Sequence, residues 1–216
     1  MSALRKMVAV QLAGNALLLW LAYEWLGLAE STGLRLALSA LDALAILALF
    51  CWLQGATVVL FRMPAGERRL NTAFRTALRR LPLLLGAAIV AIAIYGALAW
   101  LPGLVKLRKP AMFNGALWVV RWIVLPVLFV PIFSAIAAGG GVQWRRSWRY
   151  WIAVPVLLLA GLMLPMIVLD WIPRAGSFWV EMFSFAARAA VAYLLFVASL
   201  VGLSASATQF STGRSA

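Results

Sequence analysis

Apolar residues in this chain come in long unbroken blocks, not in the every-second-residue alternation of a half-buried strand. Six blocks stand out, near 7–28, 36–61, 81–101, 116–138, 152–172 and 178–203. About 20 helical residues, rising 1.5 Å each, cross roughly 30 Å of hydrocarbon. The blocks therefore predict membrane-crossing helices, where a β-barrel would show short alternating strands. The expected fold is all-α: a polytopic membrane helical bundle of about six transmembrane helices, paired as three hairpins in one domain over residues 1–216.

Composition agrees with the pattern. The 216 residues are 65% hydrophobic and 12% charged, with mean hydropathy +0.99. A soluble domain is near half apolar and about a quarter charged. The first block follows MSALRK and is longer than the apolar region of a signal peptide, about 7–15 residues. With no clear A-x-A site after it, it is expected to remain as the first span.

Charge gives the helices a direction. Twelve of the 19 Lys and Arg fall within 5–6, 62–80, 145–149 and 214, and Glu67 is the one acid on those segments, a formal charge of +11. The remaining segments hold seven bases and five acids, only +2. Such a bias in short loops predicts that both termini lie in the cytoplasm.

Two of the basic segments have a facial pattern. At 100° per residue, Arg68, Arg75 and Arg79 share one stripe of segment 67–81, opposite Leu70, Phe74, Ala77, Leu78 and Leu81. In GGGVQWRRSWRYW, residues 139–151, Trp144, Trp148 and Trp151 fall on one side and Arg145, Arg146 and Arg149 on the other. Both segments predict short amphipathic helices on the cytoplasmic side. Their tryptophans would settle at the headgroups, and their arginines would attract anionic lipid at about 1 kcal/mol each. Interleaved Arg and Trp also serve nucleic acids, but a tryptophan stripe leading into a span has the interface as its nearer partner. Bound lipid is expected, and nucleic acid is not. Gly139 to Gly141 predict a helix stop and elbow.

TALRRLPLLLGAAIVAIAIYGALAWLPG (76–103) and SWRYWIAVPVLLLAGLMLPMIVLDWIPRAG (147–176) share a layout, offset by 71 residues: a basic lead, about 20 apolar residues, then Trp-x-Pro. Duplication and shared membrane-span grammar explain this equally well. The order of basic amphipathic helix, apolar hairpin and Trp-x-Pro resembles poorly characterised bacterial six-helix membrane proteins, among them the membrane domains found beside glycerophosphodiester phosphodiesterases. AFRTALRRLPLLLGAAIVAIAIYGALAWLPG carries most of the likeness. It implies a bacterial cytoplasmic (inner) membrane and transfers no active-site residue.

Ionisable residues inside spans cost several kcal/mol unless paired or hydrated, and so are site candidates. By residue count, Asp42 lies about 9 Å, Arg121 about 8 Å and Arg188 about 15 Å below the outer boundary. Glu181, seven residues earlier on the same face, is the most local acidic counterpart for Arg188, and Asp42 or Glu24 can pair with it only if the bundle brings them near; Arg188 itself sits among small residues in SFAARAAVAYLLF. The competing reading for all of them is structural, a clamp between helices or an arginine snorkelling to the surface. Gln11 and Asn15, four residues apart, predict hydrogen bonds across helices. Pro126, Pro131, Pro155 and Pro165 predict kinks.

No catalytic constellation emerges. The chain has no histidine, and its one cysteine, Cys51, reads as a small core residue. No metal or other cofactor is predicted. Two functional expectations follow. The first is a non-catalytic subunit or scaffold that contacts anionic lipid and membrane-protein partners or a second copy. The alternative is a small transporter or channel for an anionic or amphipathic substrate, with an outward-facing polar site around Arg188.

Overall fold

A computed structural model describes residues 3–28, 32–104, 110–140, 148–171 and 177–209. Every regular element among them is helical. Six helices are long and apolar enough to cross a membrane: Ala3–Leu26, Gly33–Arg62, Leu81–Gly103, Ala111–Ala138, Tyr150–Asp170 and Phe178–Ser206. The chain is an all-α, multi-pass membrane protein. Its helices are α1 (Ala3–Leu26), α2 (Gly33–Arg62), α3 (Leu70–Arg79), α4 (Leu81–Leu104), α5 (Pro110–Val119), α6 (Leu125–Ala138), α7 (Trp148–Asp170) and α8 (Phe178–Gln209). They fall into two compact units, Met1–Ala97 with Pro131–Gln143, and Leu98–Val130 with Trp144–Ala216.

In the first unit, α1 buries Met7, Gln11, Asn15 and Leu18, a stripe spaced four, four and three residues apart. It packs on α2, whose stretch from Leu53 to Leu60 is buried on all sides. Its neighbours there include Met7 of α1, Ala73 and Ala77 of α3, Leu84 of α4 and Ala137 of α6. Small residues make the enclosure possible. A methyl added to Gly14 would stand 2.8 Å from Leu53, and one on Gly55 would stand 2.8 Å from Leu84. Trp52 donates its indole N–H to the Phe74 carbonyl at 2.9 Å and meets the Phe74 ring edge-on, with centroids 5.3 Å apart. At the other end of the α1–α2 pair, Trp25 donates to the backbone oxygen and hydroxyl of Ser39.

The amphipathic segment predicted over 67–81 is shorter in the structure. Ala65–Glu67 form a 3-10 turn, and Arg69 is extended (φ −126°, ψ 123°), so α3 starts only at Leu70. Arg68 precedes the helix and donates Nε to the Met63 carbonyl at 3.2 Å, so it does not share the helical stripe of Arg75 and Arg79. Ala73 and Ala77 face the core, whereas Leu78 is half exposed. The helix stops at Arg79 because Pro82 carries no N–H for the Leu78 carbonyl, and Arg80 turns the chain at φ −103°, ψ 1°.

Helix α6 closes with a glycine stop. Gly139 adopts φ +74°, where a β-carbon is penalised. Gly139 N–H bonds to Ile136 O and Gly140 N–H to Ala135 O, the paired bonds of a Schellman ending. The predicted helix stop at Gly139 is therefore present, while Gly141 lies outside the described residues.

Prolines shape the path from α5 to α6. That path begins at Pro110, where the sequence reading put a joint up to residue 115; a proline is tolerated at a first helical position. Pro126 leaves the Trp122 carbonyl without its usual donor, and the ladder slips to a π-helical turn over Val120–Val124, with Leu125 N–H on Val120 O. Pro131 in turn strands the Val127 carbonyl. The buried Tyr150 hydroxyl donates to that oxygen at 3.2 Å, which satisfies it.

The second unit is dominated by the antiparallel pair α7–α8. Close approach at Gly161, whose added methyl would stand 2.6 Å from Ser199 Cβ, and at Gly202, 3.2 Å from Leu157, fixes the register. Extending that register sets the last turn of α7, Ile167–Asp170, beside Ala190–Tyr193. The first three turns of α8 then run past the end of α7 by roughly 15 Å. On α7 itself, exposed Trp151 and Trp171 are 20 residues apart, about 30 Å, matching the distance between the two interfaces of a bilayer.

Candidate functional site

Buried polar side chains gather between α1 and α2. Gln11, Asn15 and Thr57 are at most 1% exposed, and Gln54 is 6% exposed. Asn15 donates Nδ2 to the Gln11 carbonyl at 2.8 Å and to Gln11 Oε1 at 2.6 Å. Gln11 donates Nε2 to Gln54 Oε1 at 3.2 Å and to the Thr57 hydroxyl. Gln54 donates back to Gln11 Oε1 and Asn15 Oδ1, both at 3.4 Å. Thr57 closes the set by donating to Leu53 O at 2.9 Å. Four polar side chains thus satisfy one another in a water-poor interior, where an unmet donor is costly. Gln11 and Asn15 make the cross-helix bonds expected of them. Gln54 and Thr57 were not singled out in the sequence, although LQGAT, a three-residue polar spacing inside an apolar run, is the matching signal on α2.

Arg188 is occupied by backbone. Its Nη1 donates to Leu169 O at 2.8 Å and Trp171 O at 2.7 Å, and its Nε to Ser184 O at 3.3 Å. The carbonyls at the end of a helix lack intrahelical donors and carry partial negative charge. A guanidinium there supplies both missing donors and compensating charge. The Phe185 ring lies 6.0 Å from the guanidinium carbon. The residue count put Arg188 about 15 Å deep because it started at Phe178. Measured against α7, it stands at the mouth of the pair, since α8 overshoots its partner.

The remaining span candidates are dispersed. Asp42, Glu24 and Glu181 are exposed, and among the described residues no ion pair joins any of them to an arginine. Asp42 and Glu24 belong to the first unit, Arg188 and Arg121 to the second. Arg121 occupies the π-helical turn and is half-buried.

Cations concentrate at one end of the first unit. Arg62 donates to the Ser134 hydroxyl at 3.1 Å and Arg80 to Ile136 O at 3.4 Å, so two arginines sit around the C-terminal end of α6. Arg75 and Arg79 project from the exposed side of α3. Beside them an open cleft of about 590 Å³ is lined by Ala3 and Lys6 of α1 and by Arg68, Arg69, Leu70, Asn71 and Thr72. In the other predicted interfacial segment, Trp151 is exposed. Trp144 and Arg145 lie outside the described residues, and of Trp148 and Arg149 only the helical backbone is described.

No protein-family model matches the chain, and no curated protein or solved structure does either.

Proposed function

We propose that the protein is a non-catalytic membrane subunit or scaffold of the bacterial inner membrane, with both termini in the cytoplasm. It holds anionic lipid on its arginine-rich face and docks partner membrane proteins or a second copy of itself. The observation that supports this best is the use of Arg188: its Nη1 donates to Leu169 O and Trp171 O, which ties α8 to the end of α7, and its Nε is held on Ser184 O of its own helix. A residue bonded in that way acts as a clamp. The saturated amide cluster between α1 and α2 supports the same reading, because its donors are spent on holding two helices in register.

A second reading, a small transporter for an anionic substrate, draws on the π-helical turn that carries Arg121, since irregular turns inside spans recur at functional sites. The two separate on Arg188→Leu. For a clamp, the substitution raises hydrogen exchange at Leu169–Trp171 and lowers the unfolding midpoint, while Arg188→Lys restores part of both. Native mass spectrometry from mild detergent should show a fixed-stoichiometry complex or oligomer. A monomer whose anion flux in proteoliposomes disappears in Arg188→Leu, with exchange at α7 unchanged, would reverse the assignment.

A further inference from the structure

We infer that the cleft between the start of α1 and the entry to α3 is a discrete binding site for a phosphate group, carried by an anionic lipid headgroup or by a small soluble phosphate. The inference deepens the lipid-holding role proposed above and rests on it for the lipid source. Its volume, about 590 Å³, falls in the range of small-molecule sites, roughly 300–1,000 Å³. Of the seven described residues that line it, three are cationic, Lys6, Arg68 and Arg69, and two more, Asn71 and Thr72, bring an amide and a hydroxyl. Among the described residues no carboxylate lines it: Glu67, next to Arg68 in the chain, is not part of the wall.

The cations are brought together by backbone geometry. The 3-10 turn and the extended Arg69 place two successive arginines ahead of α3, facing Lys6 from α1. Arg68 is preset, because its Nε is fixed on Met63 O and its two Nη groups are left for a ligand. A guanidinium offers paired N–H groups that match phosphate oxygens, and a lysine ammonium adds a point charge. Among the described residues, neither Lys6 nor Arg69 forms an ion pair, so like charges converge without compensation. A bound phosphate dianion or diester supplies that compensation. Arg75 and Arg79 differ: they stand on the open side of α3, outside the cleft, and give diffuse attraction only.

The test sets two double variants of equal charge against each other in the full-length protein. Phosphatidylglycerol and phosphatidylcholine retention is measured by native mass spectrometry, and inorganic phosphate by its effect on the melting temperature. Wild type should retain phosphatidylglycerol over phosphatidylcholine or be stabilised by millimolar phosphate. Lys6→Gln/Arg69→Gln should weaken that binding about tenfold or more. Arg75→Gln/Arg79→Gln, which removes the same charge from the open side of α3, should cost at least about tenfold less than the first double. Diffuse attraction, roughly fivefold per surface cation, falls alike in both doubles, so equal losses overturn the site. Thr72→Glu, which places an acid in the cleft at an exposed position, should reproduce the loss if the first double variant folds poorly. Displacement of phosphatidylglycerol by millimolar inorganic phosphate assigns the site to soluble phosphate; retention against it assigns the lipid headgroup. Absence of both preferences in folded wild type overturns the proposal. Complex formation is measured on the same samples, so loss of this site with the oligomer or partner intact leaves the scaffold reading in place.

Discussion

Gln11 is the hub of the buried amide cluster: its side chain and carbonyl take part in bonds to Asn15, Gln54 and Thr57. Removing one member strands the others. Gln54→Leu keeps the volume but leaves Gln11 Nε2 and Asn15 Oδ1 each short of a partner. Cross-helix hydrogen bonds in membranes are worth about 0.6–2 kcal/mol, and a stranded buried donor costs about 1–3 kcal/mol. Gln54→Leu should therefore lower unfolding free energy by about 1–2 kcal/mol in a denaturant titration in detergent. Because both residues belong to one network, Gln11→Leu/Gln54→Leu should cost less than the two single losses together. A strictly additive double variant would show that the amides act independently.

At the scale of elements, close backbone approach decides how α7 and α8 pair. An added methyl at Gly161 already stands 2.6 Å from Ser199 Cβ, whereas Gly86 and Gly96 of α4 have nothing within 4 Å. Gly161→Leu should separate the hairpin, lowering stability by about 1–3 kcal/mol, the usual range for overpacking. Gly96→Leu should leave it within about 0.5 kcal/mol. Thermal unfolding of the two variants beside wild type tests the contrast, and equal midpoints would refute the register. This also marks how far the sequence was legible. The six spans, the Gly139 stop and the cross-helix role of Gln11 and Asn15 follow from apolar block length, glycine chemistry and helical spacing, all local properties. The depth of Arg188 did not follow, because it depends on how far α8 slides past α7, and two glycines set that slide through contacts with residues 38 and 45 positions away. The π turn escaped for another reason. A proline announces a lost hydrogen bond but not whether the ladder breaks, kinks or slips by one residue. Arg68 left the predicted stripe because the Met63 carbonyl, freed at the end of α2, captured its Nε.

For the molecule as a whole, the decisive asymmetry is electrical. Segments assigned to the cytoplasm carry a formal +11 and the rest +2, and short-loop lysines and arginines resist translocation. With six spans, the turn at Ala65–Glu67 follows the second span and Ser177 follows the fifth, so the two should face opposite sides. Cys51 is 1% exposed, which makes the native thiol a poor target and lets introduced cysteines report alone. Gly66 has open space around it, so Gly66→Cys is a mild probe. A membrane-impermeant maleimide should label Gly66→Cys in inverted inner-membrane vesicles and not in intact spheroplasts. Ser177→Cys should show the reverse. Both probes labelling from one side would mean that the number of crossings between them is even, which removes at least one of the spans. Opposite labelling in the wrong sense would keep all six helices and invert the molecule. The arginine-rich end of the first unit, with its cleft, would then face away from the cytoplasm, and the positive-inside argument would fail while the helical architecture stood.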